Sequence, residues 1–561
     1  MNHKGSPIKS IPSILSIPEK LNSFFQRVIK FRLPVERRFS VRDILLALGA
    51  LLLTLLLRII SLPAAIQTVL SVFLLLFALI PVFLQAFRLI RKRRFPVEEA
   101  TAFLSALIVF AVGEHTAAIL IPALSVILWQ VEGYSLLHVE AAPNAIPDAE
   151  ETIRNHVMAA DEEKSTERRT LAFASAAFYA LFLLIGIIMM FLALFHLQNA
   201  AEWIRRGLIL LMLSSPSAIL FSLMLTHFGA VFSSGKTGAV FRNDQVPEDF
   251  SHCRIFAFGK TGTVTDGRFQ ISEIVPVGVS EEDLLRIAAV AECKSDHPIA
   301  LAIKSAAGLK EGAVPSGVMD VQEIPGKGVS TFFSGRQIYV GNASLLEDHN
   351  IWYQVPSKTG TAIHVAVDST YRGYFLISDT LRENAFEALE ELRAQGASCL
   401  AMLTGDVQSV SRAIAASLNF DMVKAHLTPA EKASAISYLR SSQSDRERIA
   451  AVGDGSHDEA MFEAADISVC MEQKPSGIAD LSICSDDILT IPRVYRICRE
   501  TERIMLASAV GVAGVKLMLC FLGLFHVIPI SLVAVFDSVF SIAAVIYSLT
   551  CLTLENRGMH G

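Results

Sequence analysis

The sequence predicts a membrane-embedded α-helical bundle joined to a large cytoplasmic α/β region built on a doubly wound parallel sheet. Three observations carry this. The 561 residues are 52% hydrophobic with a mean hydropathy of +0.46, beyond a soluble protein, yet 19% are charged, too many for a chain buried wholly in lipid. Apolar runs long enough to cross a hydrocarbon core recur in two groups. Between them, a polar insert over about 227–498 alternates β-rich apolar strings with helical stretches.

Eight spans are expected, near 41–60, 63–90, 97–113, 115–131, 170–195, 203–226, 501–523 and 526–552. An even number puts both termini on one side. Lys and Arg choose that side: the first forty residues, the basic run at 91–94, the charged stretch 148–169 and the insert fall together and should be cytoplasmic, with Arg205 and Arg206 the exceptions. The expectation is a multi-pass protein of the plasma membrane, with the lipid bilayer as its first partner. Residues 1–40 carry Pro and charge with no apolar stretch before a cleavage site, so no signal peptide is expected. A net charge of -6, with basic patches only beside apolar runs, argues against a nucleic-acid partner. The eight cysteines are scattered, with no CxxC, and are expected to be free thiols.

Within the insert, "RIFAFGKTGTVTDGR", "ASCLAMLTGD" and "RIAAVGDG" each read as an apolar strand running into a polar turn. Ligands of a doubly wound sheet sit at the carboxyl ends of its strands, which singles out Gly259-Lys260-Thr261, Thr404-Gly405-Asp406 and Gly453-Asp454-Gly455. Each turn alone is ordinary Gly-Asp turn chemistry.

Together, "KTGT", "TGD" and "GDGxxD" resemble the phosphorylation domain of P-type ATPases, a haloacid-dehalogenase-like (Rossmannoid) fold with an inserted α+β nucleotide-binding domain. "SDHPIALAI", "GKGV" and "VGN" are similar to the nucleotide-domain signature of the heavy-metal (zinc, cadmium, lead) branch. The resemblance implies a nucleotide site at Asp296, His297, Pro298, Gly326, Gly328 and Asn342, and phosphate contacts from Lys260, Thr261, Thr404, Gly405, Asp406 and Lys432. It further implies Mg2+ at Asp454 and Asp458, with ATP or ADP as ligand, and makes "ISDTLR" the hinge back into the phosphorylation domain. Lys516 and Asp537 resemble the lysine and aspartate of a divalent-metal transport site, and an ionisable residue in mid-bilayer needs a partner. They suit a transport site or a structural ion pair.

Four departures from the family shape the reading. Gly259 stands where the phosphate-accepting aspartate belongs, and neither Lys260 nor the nearby threonines can replace a carboxylate nucleophile. Only about 38 residues, 131–168, separate the fourth and fifth spans, without a TGE loop, where the family carries its much larger actuator domain; 148–169 should form a charged helical stalk. Ser215-Pro216-Ser217 replaces Cys-Pro-Cys, so Pro216 should break the helix while the hydroxyls offer hard, weak donors. His457 replaces the Asn of "GDGxND".

The expected organisation is a basic segment over 1–40, helices over 41–131, a short linker over 132–169 and helices over 170–226. A phosphorylation-like domain over 227–275 and 376–490 encloses a nucleotide-binding-like domain over 276–375, and the last two helices and tail occupy 491–561. The leading expectation is a catalytically silent relative that binds Mg-nucleotide and acts in a regulatory or binding role, through a membrane or cytoplasmic protein partner. Two alternatives stay open: ATP-driven divalent-metal transport by a non-standard mechanism or with an actuator supplied in trans, and a structural remnant without ligand.

Overall fold

The computed structural model describes residues 40–60, 62–91, 96–140, 166–195, 199–215, 217–243, 245–309, 314–356, 360–441, 447–455, 458–472 and 475–558. It forms two compact units, one of Met1–Ser233 with Arg499–Gly561 and the other of Ser234–Cys498.

The first unit is helical. Its elements are α1 (Val41–Ile59), α2 (Ala64–Arg91), α3 (Val97–Ala111), α4 (His115–Glu140), α5 (Thr166–Leu192), α6 (Ala200–Leu213) and α7 (Ser217–Lys236), joined by the C-terminal helices Thr490–Leu524 and Ile530–Leu549. Alanines and valines such as Ala47, Ala50, Ala78, Val82, Ala106, Val109, Ala117 and Ala118 share the core with bulkier residues such as Leu75, Ile119, Trp129 and Ile209. Large apolar side chains such as Leu52, Phe73, Phe83 and Phe521 face outward at 60% exposure or more. Small residues among those inside and bulky apolar ones outside is the pattern of helices packed in lipid. Among the described residues, five helical stretches are long and apolar enough to cross a membrane, Ala200–Lys236 being counted as one across its break. The remaining expected spans differ for local reasons: α1 includes Arg42, Asp43 and Arg58, α3 has 15 residues, and α5 has a shorter apolar stretch over Ala177–Leu192.

The sixth expected span is two helices, α6 and α7, broken at Ser214 and Ser215; Pro216 itself lies outside the described residues. The expected linker differs too. Its first residues continue α4 to Glu140, and α5 begins at Thr166, while most of the expected stalk, 141–165, lies outside the described residues.

The second unit contains two sheets. Its elements are β1 (Ala239–Phe241), α8 (Val246–Ser251), β2 (Cys253–Phe258), β3 (Thr265–Pro276), α9 (Glu281–Ala291), α10 (Pro298–Ala306), β4 (Val318–Ile324), β5 (Gly328–Phe333), β6 (Arg336–Gly341) and α11 (Ala343–Asp348). They continue with β7 (Thr361–Val367), β8 (Thr370–Leu381), α12 (Ala385–Ala394), β9 (Cys399–Leu403), α13 (Gln408–Ser417), β10 (Met422–Lys424), α14 (Pro429–Ser441), β11 (Arg448–Gly453), α15 (Glu459–Ala464), β12 (Ile467–Met471) and β13 (Leu481–Ile483).

The larger sheet has the order β1-β13-β12-β11-β2-β9-β10 and is parallel except for β1. Its central strands are buried on both faces, which is why they read as unbroken apolar runs. The order makes β11, β2 and β9 neighbours, in a register that pairs Phe258 with both Val452 and Met402. The turns after these three strands therefore meet at one edge.

The smaller sheet is antiparallel, in the order β3-β8-β7-β6-β5-β4. It packs α9 and α10 against one core, around Leu284, Ile303, Val340 and Phe375, and α11 against another, around Leu345, Leu346 and Tyr374. Since β3 starts at Thr265 and β8 ends at Leu381, this sheet extends about ten residues before 276 and a few beyond 375.

Near the base of the larger sheet, Tyr495 packs edge-on against Phe250 and Phe256, and its buried hydroxyl donates to the Cys253 carbonyl at 2.6 Å. Tyr495→Phe leaves that carbonyl unsatisfied. The expected loss is about 1–3 kcal/mol, read as a lower unfolding midpoint with the fold retained.

Candidate functional site

Gly259 ends β2 with extended backbone (φ -64°, ψ 164°), its N–H donating to the Val452 carbonyl at 2.8 Å. The chain then makes one wide turn over Lys260–Val264, with Gly262 at φ 71°. Arg382, in the "ISDTLR" segment, holds this turn by donating to the carbonyls of Thr263 at 2.8 Å and Gly262 at 3.1 Å. The Thr265 hydroxyl lies 2.9 Å from the Lys260 carbonyl and 2.5 Å from Asp379 Oδ2. Burial pushes the Asp379 carboxyl up, while its hydrogen bond from Thr265 and the Lys260 charge pull it down. Lys260 is buried and ion-paired with Asp406; Thr261 is half-buried beside it.

The second turn is tied by Asp406 N–H donating to Thr404 Oγ1 at 3.1 Å, and Leu427 N–H donating to the Thr404 carbonyl, around Gly405. "LTPAEK" folds as a reciprocal capping box. Glu431 Oε2 accepts from Thr428 N–H at 2.8 Å, and Thr428 Oγ1 accepts from Glu431 N–H at 3.4 Å, with Pro429 opening α14. That start fixes Lys432 in the first turn, where its Nζ reaches Asp458 Oδ1 at 2.6 Å.

Asp458 is 2% exposed. A Cβ placed on Gly259 would stand 2.5 Å from its Oδ2, and one on Gly453 would stand 2.7 Å from its Cβ. The carboxylate thus lies between two glycines, in space a side chain at 259 would occupy. Asp454 lies over Gly262, whose added Cβ would be 3.2 Å from Asp454 Oδ2. Among the described residues no group of three or more His, Cys, Asp or Glu is arranged to hold a metal ion. Of the two acids expected to hold magnesium, Asp458 is engaged by Lys432. His457 lies outside the described residues.

At the smaller sheet, His297 caps α10, its Nδ1 accepting from Ile299 N–H at 3.2 Å, and Asp296, His297 and Pro298 are exposed. The Thr331 hydroxyl of β5 donates to the Ala291 carbonyl at 3.1 Å, fastening the segment before them to the strand that begins at Gly328. The glycine loop has positive φ at Gly326 (74°) and Gly328 (143°), where a Cβ would run into Gly341 at 2.5 Å. Asn342 ties this loop down, donating from Nδ2 to the Gly326 carbonyl at 2.9 Å.

Glu292, not singled out by sequence reasoning, is buried beside this segment, and desolvation, reinforced by Glu323, pushes its pKa up to about 7 from 4.5. No spacing signal marks it. The folded state therefore binds its proton more tightly: the stabilisation is complete below 4.5 and lost as pH rises through about 7. The unfolding midpoint should fall between pH 5 and 8, and Glu292→Gln should flatten that slope.

In the helical unit, Ser215 Oγ and Ser217 Oγ are 3.1 Å apart at the helix break. Lys516 is 2% exposed, 2.8 Å from Asp537 Oδ1, and donates to the Leu213 carbonyl at 3.4 Å, with the Tyr179 ring 5.6 Å away. A cavity of about 60 Å³ touches Glu98, Ser125, Ser215, Ser217, Lys516 and Asp537. Its lining offers oxygens, the Lys516 ammonium, the Trp129 indole and the Met212 thioether, with no thiol. Lys516→Ala or Asp537→Ala alone should destabilise by about 3–5 kcal/mol, as for an uncompensated buried charge, and the double variant should recover part of it in detergent unfolding.

Fold and site together define a membrane protein carrying a haloacid-dehalogenase-like domain. Residues 253–466 match the family model of haloacid dehalogenase-like hydrolases. A zinc-transporting ATPase of Synechocystis is 32% identical over 348 residues, 61% of this chain and 47% of that protein. The cadmium, zinc and cobalt-transporting ATPase of Bacillus subtilis is 30% identical over 431 residues, 75% and 61% of the two chains. A crystal structure of a zinc-transporting PIB-type ATPase in the E2.Pi state has the same fold, with TM-score 0.57 at 20% identity, covering 91% of this chain and 100% of that one. The chain is thus similar to heavy-metal-transporting P-type ATPases, and it spans about half to three-fifths of the length of these curated relatives.

Proposed function

We propose that this chain is a catalytically silent member of that family, a multi-pass protein of the plasma membrane with both termini cytoplasmic, which binds nucleotide and acts in a regulatory or binding role through a protein partner. The observation that carries the reading is Gly259. The strand end facing Lys260, Thr404 and Lys432 has no carboxylate of its own, and forming an acyl phosphate from a γ-phosphate needs one. The parts that would hold a ligand are built: Arg382 secures the first turn, a capping box orients Lys432, and Asn342 secures the glycine loop.

The adenine end would lie against His297 and the Gly326/Gly328 loop, and the phosphate end toward Thr261, Thr404, Gly405 and Lys260, beside Lys432, which is paired with Asp458. Magnesium, held at Asp454, would screen the phosphate charge. At the membrane site, the hydroxyls of Ser215 and Ser217 and the Lys516–Asp537 pair favour a structural role over capture of a soft ion.

With γ-labelled ATP the wild-type chain should give no acid-stable, hydroxylamine-sensitive label, while ATP or ADP binds at micromolar to millimolar levels and loses affinity in His297→Ala. A label in the wild type would instead support ATP-driven transport through another acceptor. Gly259→Asp restores a carboxylate, but its Cβ meets Asp458, so label should form only slowly and persist.

A further inference from the structure

The missing nucleophile leaves a space, and that space is filled. Bond lengths of about 1.5 and 1.2 Å put an aspartate's own carboxylate oxygens about 2.4 Å from its Cβ. Asp458 Oδ2 stands 2.5 Å from the Cβ position of residue 259, so a carboxylate oxygen lies at the distance at which an aspartate at 259 would have held its own. Its other oxygen is 2.6 Å from Lys432 Nζ, a charge-assisted contact between groups 3% and 11% exposed. The second lysine of the site, Lys260, is likewise paired with a carboxylate, Asp406, although that partner is 39% exposed.

We propose that Asp458 acts as an internal stand-in for phosphate: lodged between Gly259 and Gly453, it occupies Lys432 and latches the anion site shut against phosphate groups. The proposal takes its ligand class from the nucleotide reading above. A buried pair gives up its partner only when something else neutralises both charges, since a lone charge left in low dielectric is costly. The Lys260–Asp406 pair, open to solvent on one side, yields more readily. A polyphosphate therefore meets one lysine that can turn to it and one that cannot. Nucleotide binding should rest on the base and sugar, with little difference between adenosine and ATP. The latch depends on glycine at 259, because a side chain there would need the space that Asp458 occupies.

The test uses the full chain in detergent, with sodium tripolyphosphate and adenosine as separate probes. The wild type should bind tripolyphosphate weakly. Asp458→Asn should bind it at least about tenfold more tightly, the equivalent of 1.4 kcal/mol, and Asp458→Asn combined with Lys432→Ala should lose the gain. Gly259→Ala reaches the same end by a different route, since φ -64° accepts a side chain and the methyl displaces the carboxylate without removing its charge. This second variant keeps the test open if Asp458→Asn fails to fold. Adenosine affinity should be equal in all of them. Wild type binding tripolyphosphate as tightly as both variants would overturn the latch. Absence of adenosine and ATP binding throughout, with the tripolyphosphate series behaving as stated, would overturn the nucleotide reading and leave the latch standing.

Discussion

The Lys432–Asp458 pair, set between two glycines at the carboxyl edge of the larger sheet, is the contact on which the candidate site depends. It is buried, it is short, and it joins the first turn of α14 to the turn after β11. Both residues are fixed from behind: Lys432 by the capping box of Thr428 and Glu431, Asp458 by the walls of Gly259 and Gly453. A charge held so tightly has little freedom to follow a ligand. The same geometry that fixes Lys432 gives it an intramolecular partner.

Sheet order explains why the three turns meet. The first is separated from the other two by well over a hundred residues of chain, yet β11, β2 and β9 are adjacent, and register aligns their ends. The smaller sheet lies between β2 and β9 in sequence and leaves that adjacency intact, because β3 and β8 pair with each other as it departs and returns. Arg382 stands where β8 ends and donates back to the turn before β3, so the crossing point itself braces the loop that follows Gly259.

Much of this was legible in the sequence for definite physical reasons. Long apolar runs marked the helices, apolar strings ending in Gly-Asp marked the strand ends, and Pro216 marked a break that appears as separate helices α6 and α7. The rest depended on tertiary placement. Glycine at 259 reads as a loss, and only the structure reveals that Asp458 fills the space. Glu292 reads as one acid in a polar stretch, whereas its burial and the nearby Glu323 raise its pKa. The reach of the smaller sheet also depends on pairing, since β3 and β8 run on past the residues that resemble the nucleotide-domain signature.

The two sites share one arrangement of charge. At the strand ends, a lysine suited to an anionic ligand is held by a carboxylate of the chain itself. At the helix break, a carboxylate suited to a cation is held by a lysine of the chain itself, and the flanking donors are hydroxyls rather than thiolates. In each case the charge that would recognise a ligand is already answered within the protein, and desolvation makes the answer hard to withdraw. A transporter must release such pairs in every cycle. Each pair would have to open before its site could take a ligand, and burial sets the cost of opening it.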